Sequence, residues 1–469
     1  MIRPASPKVD GFDLVVYGAT AQGGRRGRRR RWSGHAGGGR GPDGPRRRHG
    51  LGGLAKTDVE RQEHLIGGLA RQVFARIGRR YGSPVAWRFE PKVAEQVLRE
   101  WLDEAGVRHL PGWRLRTVER HGTRIGAIVS DGGQRLAARC FMDASYEGEL
   151  LAGAGVPYAV GRDGRDRYGE SLAGRVELLP NPHQFGVPVS ALADDGGLLP
   201  YVQPYAGIGP LGHGDGKVQS YCYRICLTED PEQRLAFPEP VAYDPERDVL
   251  VRRHLAALGA SADLRHFMGI GRTLNGKVDV NSGGPVSTNL LGASWDYPDA
   301  SADRREEIAA EHLRWAQGLL FFLATDPAVP QPVRRELGRF GLPSDEFAGT
   351  GHWPPQLYVR DARRMLGEYV LTQRDLQVGP AHRIPDAVGM GGYNVDIREV
   401  QWVAAPVSRF PDVHDEVLTE GYLSVPVDPY PVPYRILLPR NDDCSNLLVS
   451  TCVSASHVAF SSSGWSRSS

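Results

Sequence analysis

The chain has 469 residues, of which 41% are hydrophobic and 24% charged, with a formal net charge of +2. It is long enough for two or three structural units around a large core, and its composition is that of an ordinary soluble globular enzyme. Five cysteines at irregular spacing give no disulfide framework, no run approaches 18 apolar residues, no internal repeat is present, and the first residues lack the apolar stretch of a signal peptide. The expected setting is therefore the reducing cytoplasm, with no membrane span.

The first element is a short buried strand, Asp13-Leu14-Val15-Val16-Tyr17, followed by the turn Gly18-Ala19-Thr20-Ala21-Gln22-Gly23. This G-x-T-x-x-G turn is a variant of the dinucleotide fingerprint, in which small residues let backbone approach a pyrophosphate at the start of a helix. A helix of small apolar residues should follow. Residues 24–51 instead run through Arg25, Arg26 and Arg28 to Arg31 into a Gly- and Arg-rich stretch. Most of the positive excess lies there, so the net charge by itself points to no partner.

Back-translated with GC-rich codons and read one base later, residues 24–51 decode into an alanine-rich helix with good propensity, a strand of three valines, an acidic residue suited to a ribose, and a Gly-Gly-Met turn running into Gly52 and Gly53. One base gained near Gly23 and one lost near Gly52 would produce the observed sequence. In the frame as it stands, the stretch is expected to form no regular helix–strand pair, because charge repulsion and glycine entropy oppose order. The alternative is a basic loop that binds nucleic acid.

Pro91 to Gly106 has Val93, Val97, Leu98, Trp101 and Leu102 at helical spacing. Arg124 to Ser130 and Arg135 to Met142 read as strands joined by the turn Asp131-Gly132-Gly133. From 161 to 430 the chain is rich in Pro, Gly and aromatics, with one clear helix from about Ala302 to Ala324 and a shorter one near Val359 to Met365. Cys222 and Cys226 lie on an aromatic, strand-like stretch and read as buried thiols; no C-x-x-C run supports an iron–sulfur cluster. Strand character returns at Tyr434 to Leu438 and Asn446 to Val449.

Three segments together resemble the FAD-dependent oxidoreductase family with the two-dinucleotide-binding fold, in its heterodisulfide-reductase-subunit-A-like branch. They are the opening strand and turn, Cys140-Phe141-Met142-Asp143-Ala144-Ser145-Tyr146-Glu147-Gly148-Glu149, and Pro439-Arg440 through Cys444 to Val449 and on to Cys452-Val453-Ser454-Ala455-Ser456-His457-Val458-Ala459. Gly292 to Pro298 and His352-Trp353-Pro354 to Tyr358-Val359-Arg360 add to the likeness, which spares only residues 24–51 and the last seven. After Ser462 the family continues into a Gly-rich helix that covers the flavin. Deleting one base from codons for that continuation yields Ser463 to Ser469.

The resemblance implies an α/β fold: a Rossmann-like FAD-binding sheet closed by N- and C-terminal segments, with a large inserted α+β substrate or cap domain. The expected parts are 1–160 (24–51 aberrant), 161–430 for the cap, and 431–469 as a truncated return. FAD is the implied cofactor. Gly18, Thr20, Ala21 and Gly23 form the expected phosphate turn, with Gly52, Gly53, Asp143, Ala144, Ser145, Ser454 and Ser456 as further cofactor contacts. His457 and Arg360 are the catalytic candidates: an imidazole that bonds the flavin or moves a proton, and a guanidinium that binds an anionic substrate or reduced flavin. Asn281, His352 and Trp353 are candidate substrate contacts, and Glu147 and Glu149 read as charges at a helix N-terminus. No metal site is expected.

The implied reaction moves a hydride from a small organic substrate to flavin, with an unidentified electron acceptor and neither nucleic acid nor membrane as partner. The rival reading is a non-catalytic pseudoenzyme, or a basic nucleic-acid binder, on the same fold.

Overall fold

The computed structural model describes residues 11–18, 32–35, 53–57, 62–178, 180–379, 381–406 and 415–462. The central element is a seven-stranded mixed sheet. It contains β1 (Phe12–Tyr17), β2 (Trp32–His35), β3 (Arg108–His109), β4 (Leu115–His121), β5 (Arg124–Ser130), β6 (Arg135–Asp143) and a C-terminal strand, Leu447–Val449. The order is β3-β2-β1-β6-β5-β4, with Leu447–Val449 also on β6.

β6 carries two kinds of neighbour on one edge. Its first half, Arg135 to Ala137, pairs antiparallel with β5. Its second half, Phe141 to Asp143, pairs parallel with Leu447–Val449. Burial follows that division. The first half alternates between buried and open positions, whereas Phe141, Met142 and Asp143 are all buried between parallel strands. Asn446 fills the fork. Its Oδ1 accepts from Ile125 N at 2.9 Å, and its Nδ2 donates to Ile125 O at 2.9 Å and Arg139 O at 3.2 Å. One side-chain amide thus replaces a missing strand neighbour. Tyr17 and Val449 are both in register with Asp143, so three parallel strands end level.

Within 24–51, where no regular helix–strand pair is expected, the described residues Trp32–His35 form a strand that pairs parallel with β1 from Leu14↔Trp32 to Tyr17↔His35 and with β3 beyond. Backbone pairing is indifferent to side-chain identity, and the open edge of β1 offers a row of donors and acceptors that must be satisfied. The rest of 24–51 lies outside the described residues.

Helix α1 (Gly68–Arg80) packs on α2 (Pro91–Glu104), which begins with Pro at its first turn and buries Ala94 and Val97. The short α3 (Glu149–Gly153) follows β6 and buries Leu150 and Leu151 against the sheet. The largest core runs from Phe185 to Val417 and is centred on the helix Ala302–Thr325, whose Ile308, Trp315, Leu319, Leu320 and Leu323 are buried. Ser301 caps that helix by accepting from Arg304 N. A third cluster joins Val395 and Ile397 to Tyr430, Ile436, Val453 and Phe460, so a continuous core crosses position 430.

Two expected elements are corrected. Val359 to Met365 is extended rather than helical, and its end, Arg364–Met365, pairs with Tyr158–Ala159. Its backbone bonds run to other segments: Tyr358 N to Cys222 O, Met365 N to Cys452 O and Leu366 N to Pro157 O. Tyr434 to Leu437 is a 3-10 turn rather than a strand; the strand lies one step earlier, at Tyr430–Pro433, paired with Ala387–Gly391.

Replacing Asn446 by Ala should destabilise the fold by roughly 2–4 kcal/mol, because it strands the buried N–H and C=O of Ile125. Denaturant unfolding measures this; a loss under about 0.5 kcal/mol would remove the amide's bridging role.

Candidate active site

The level ends of β1, β6 and the C-terminal strand bring three connections together. Gly18 has φ +81°, and a Cβ there would overlap the backbone of Ala144 and Ser145. Ala144 N donates to Tyr17 O at 2.7 Å, Ser450 N donates to Asp143 O at 2.9 Å, and Thr451 Oγ1 donates to Ser145 O. Gly18 is thus the residue that lets two strands leave the sheet in contact. Thr20, Ala21, Gly23 and Gly52 lie outside the described residues. Gly53 has φ +92° and packs on the carbonyl of Arg224 and on Pro354, where a side chain has no room.

The polar side chains at this edge are bonded within the protein. Asp143 is fully buried. Its Oδ1 accepts from Ser145 N (2.9 Å) and Oγ (2.6 Å), and its Oδ2 accepts from Leu151 N (2.7 Å). Burial raises its carboxyl to about 6. It shapes the turn into α3. Ser454 Oγ accepts from Gly367 N at 3.0 Å. Ser456 caps the helix His457–Ser461, accepting from Ala459 N at 3.1 Å and donating to Glu170 Oε1 at 2.6 Å. Glu149 does not act as a simple helix-end charge: it accepts from Tyr17 Oη and pairs with Arg305 at 2.8 Å. Glu147 accepts from Tyr297 Oη at 3.1 Å, and burial, followed by the Glu149 charge, raises its carboxyl. These contacts fasten the sheet to the helix Ala302–Thr325.

His457 is 1% exposed, and neither ring nitrogen has a hydrogen-bond partner. Its Nε2 lies 3.7 Å from Asp361 Oδ2, which is also buried and unpartnered. Burial, then the charges of Arg364 and Arg162, lowers the imidazole to about 3, so it is neutral at ordinary pH. A neutral imidazole offers one donor and one acceptor. Its backbone N–H is held by Asp163 Oδ2 at 2.8 Å, and Asp163 is paired with Arg364 at 3.0 Å.

Arg360 is 5% exposed and does not belong to a helix with Arg363 and Arg364. Its Nε donates to Ser220 O at 2.8 Å, and its Nη2 to Asn289 Oδ1 at 2.9 Å and Cys222 Sγ at 3.4 Å. Asn289 Nδ2 donates to Glu399 Oε2 at 2.9 Å, and Glu399 Oε1 pairs with His183 Nδ1. Burial alone would raise the Glu399 carboxyl; His183, Arg398 and Arg360 outweigh it and hold it at about 2.

The proposed substrate contacts are not gathered around one point. Asn281 lies on the strand Lys277–Ser282 with a buried, unpartnered Oδ1. His352, at φ +69°, bonds through Nδ1 to Glu346 O at 3.0 Å. Trp353 is 3% exposed inside the largest core, so it packs rather than presents a face. Lys277, at the start of the same strand as Asn281, is buried among Glu90, Asp345 and Glu346 at 2.8–2.9 Å. The five cysteines are free. Among the described residues, no group of three or more His, Cys, Asp or Glu could hold a metal, and no helix is long and apolar enough to cross a membrane.

Asp361, Asn289, Glu399 and His183 were not singled out by sequence. Asp361 has a signal: a run of charges, Arg360-Asp361-Ala362-Arg363-Arg364, set between apolar residues. The other three have none: Asn289 bonds across 71 residues to Arg360 and across 110 to Glu399, which in turn pairs with His183.

Level parallel strand ends with a glycine at their junction fit the layout of a dinucleotide-binding α/β sheet. A family model described as FAD dependent oxidoreductase matches residues 48–463, and the chain belongs to that family, whose cofactor is FAD. Among solved structures it is similar to glycine oxidase from Geobacillus kaustophilus, at 13% identity over 33% of this chain and 63% of that chain, with a TM-score of 0.23. L-proline dehydrogenase from P.horikoshii matches at 11% identity over 44% of this chain and 68% of that one, with a TM-score of 0.23. AlpK matches at 14% over 70% and 73%, with a TM-score of 0.24. The chain thus spans less than two thirds of the length of the glycine oxidase it matches. No curated protein matches it.

His457 has a folded value below its unfolded one, so the unfolded chain binds the extra proton and stability rises with pH between about 3 and 6.5. Asp143 and Asp248, both raised to about 6, act in the opposite sense between about 4 and 6. One proton is worth about 1.4 kcal/mol per pH unit, so His457→Asn should shift the stability difference between pH 5 and pH 6.5 by about 2 kcal/mol, towards less loss at pH 5. Urea unfolding at the two pH values reads it, and an unchanged difference would mean that the imidazole is not held neutral.

Proposed function

We propose that this chain is a copy of an FAD-dependent oxidoreductase of the heterodisulfide-reductase-subunit-A-like branch. Its intact form takes a hydride from a small organic substrate, and its residues 24–51 and 463–469 are encoded out of frame. One observation carries the frame reading. The family match opens at residue 48, inside the first unfamiliar stretch, and closes at 463, the first residue of the second; residues 1–23 lie outside it as well. The strand at Trp32–His35 pairs through backbone alone and does not separate an in-frame from an out-of-frame origin.

The described residues fit a polar cofactor. Buried polar atoms of His457, Asp361 and Ser220 have no partner within the protein, and such atoms are the usual mark of a ligand's place. The backbone about Gly18, Ala144 and Ser145 would carry FAD at the sheet edge, with His457 facing it. Bound FAD supplies a two-electron acceptor for a hydride. His457, being neutral, donates one hydrogen bond and accepts another. Residues 161–430 serve as the substrate-binding part, with Asn281 Oδ1 and the guanidinium of Arg360 as its polar contacts. The segments 1–160 and 431–469 hold the cofactor.

The out-of-frame stretches replace the phosphate-facing helix, the ribose acid and the flavin-covering helix. Losing three preorganised hydrogen bonds at about 1.5 kcal/mol each amounts to roughly a thousandfold in Kd. The chain as it stands should therefore purify with little or no FAD, whereas the chain with all three frame changes reversed should be yellow and near-stoichiometric. Flavin absorbance per protein decides. Equal, near-stoichiometric FAD in both would overturn the frame reading; no FAD in the repaired chain would overturn the enzyme reading.

A further inference from the structure

Arg360 is an uncommon kind of buried cation. Among the described residues no carboxylate bonds to it directly. Its Nε and Nη2 are spent on Ser220 O, Cys222 Sγ and Asn289 Oδ1, while Nη1 has no bond among the described residues. Nη1 thus keeps two unused N–H donors although the residue is 5% exposed. The adjoining Ser220 Oγ is enclosed and unpartnered. The guanidinium stands over the Tyr358 ring at 5.1 Å, and Arg224 stands over the same ring at 5.5 Å. Arg224 is already neutralised by Asp279, whereas Glu399 is linked to Arg360 through a neutral amide, Asn289.

A buried guanidinium with a bonded edge and a free edge is built to receive planar oxygen pairs, since its fork matches a carboxylate or phosphate. Asn289 sets which edge is free. Its Oδ1 takes one Nη2 proton, and its Nδ2 is fixed by Glu399, so the amide cannot flip without placing its NH2 against the guanidinium. Glu399 is fixed in turn by His183, whose ring stacks on Tyr422 at 4.4 Å.

We propose that Arg360 recognises an anionic oxygen group of the ligand and that Asn289, anchored by Glu399 and His183, is the positioning residue that keeps the receiving edge open. This rests on the reading of residues 161–430 as the substrate-binding part, and makes the substrate an anion, with a carboxylate as the group that fits. A phosphate of the cofactor is the other source of the same chemistry.

The test is calorimetric titration of the full chain, without added flavin, with sodium oxalate, inorganic pyrophosphate and the neutral oxamide. Oxalate should bind at one site and oxamide at least tenfold more weakly. Arg360→Gln should lose at least tenfold in oxalate affinity, and Asn289→Ala several-fold. Arg360→Lys should recover part of the loss, which a merely structural role would not give. Pyrophosphate binding in place of oxalate would keep the anion site and assign it to the cofactor. No anion binding, equal binding of oxamide, or full oxalate affinity in a folded Arg360→Gln protein would overturn the proposal. None of these results depends on flavin content, so they stand apart from the frame and enzyme readings.

Discussion

Four charged side chains within five residues are buried in an extended segment, and the structure is arranged around their neutralisation. Arg360, Asp361, Arg363 and Arg364 range from 0% to 7% exposed. Each reaches a different part of the molecule. Arg360 bonds to Ser220 and Asn289, and Asp361 accepts from Gln219 N at 3.1 Å. Arg363 donates to Glu147 O at 2.9 Å and pairs with Asp299, while Arg364 donates to Gly161 O at 2.7 Å and pairs with Asp163. Breaking a buried pair by removing one partner costs about 3–5 kcal/mol, far more than the pair itself contributes. The segment therefore ties the sheet edge at Glu147, the helix at His457 and the middle core into one arrangement.

The same chemistry explains what was legible in the sequence. The β5–β6 hairpin, α2 and the helix Ala302–Thr325 carry period-2 or period-3.6 patterns, because each buries one face against a core that needs only apolar contact, and β1 reads as a short apolar run between parallel strands. Val359 to Met365 misled for a physical reason. Arg360, Arg363 and Arg364 fall at helical spacing and resemble a solvated helix face, but a segment buried on every side has no face to advertise. The apolar run Ile436-Leu437-Leu438 misled in the other direction, since a buried turn and a buried strand share composition.

The site was legible only where residue types recur in order. Gly18, Arg360 and His457 stand in segments that resemble a family. Asn289, Glu399 and His183 act through one another across more than 70 residues, and nothing local marks them. Asp143, Ser454 and Ser456 show the converse: residues at a ligand-bearing edge whose side chains serve the turns that hold the edge in place. Fixing a strand end, capping a helix and contacting a cofactor are separate tasks, and one hydroxyl rarely does more than one.

A polar interior that its own chain does not satisfy bears on whether the protein was built to work without a ligand. His457 has two unpartnered ring nitrogens, and Ser220 Oγ, Arg364 Nε and Asp361 Oδ2 are enclosed without partners. An enclosed, unpaired polar group costs about 1–3 kcal/mol, and replacing such groups by apolar ones of the same shape is close to neutral or stabilising. A fold shaped for a purely structural role gains by shedding them. Those at Asp361, Arg364 and His457 stand beside one another, His457 Nε2 lying 3.7 Å from Asp361 Oδ2.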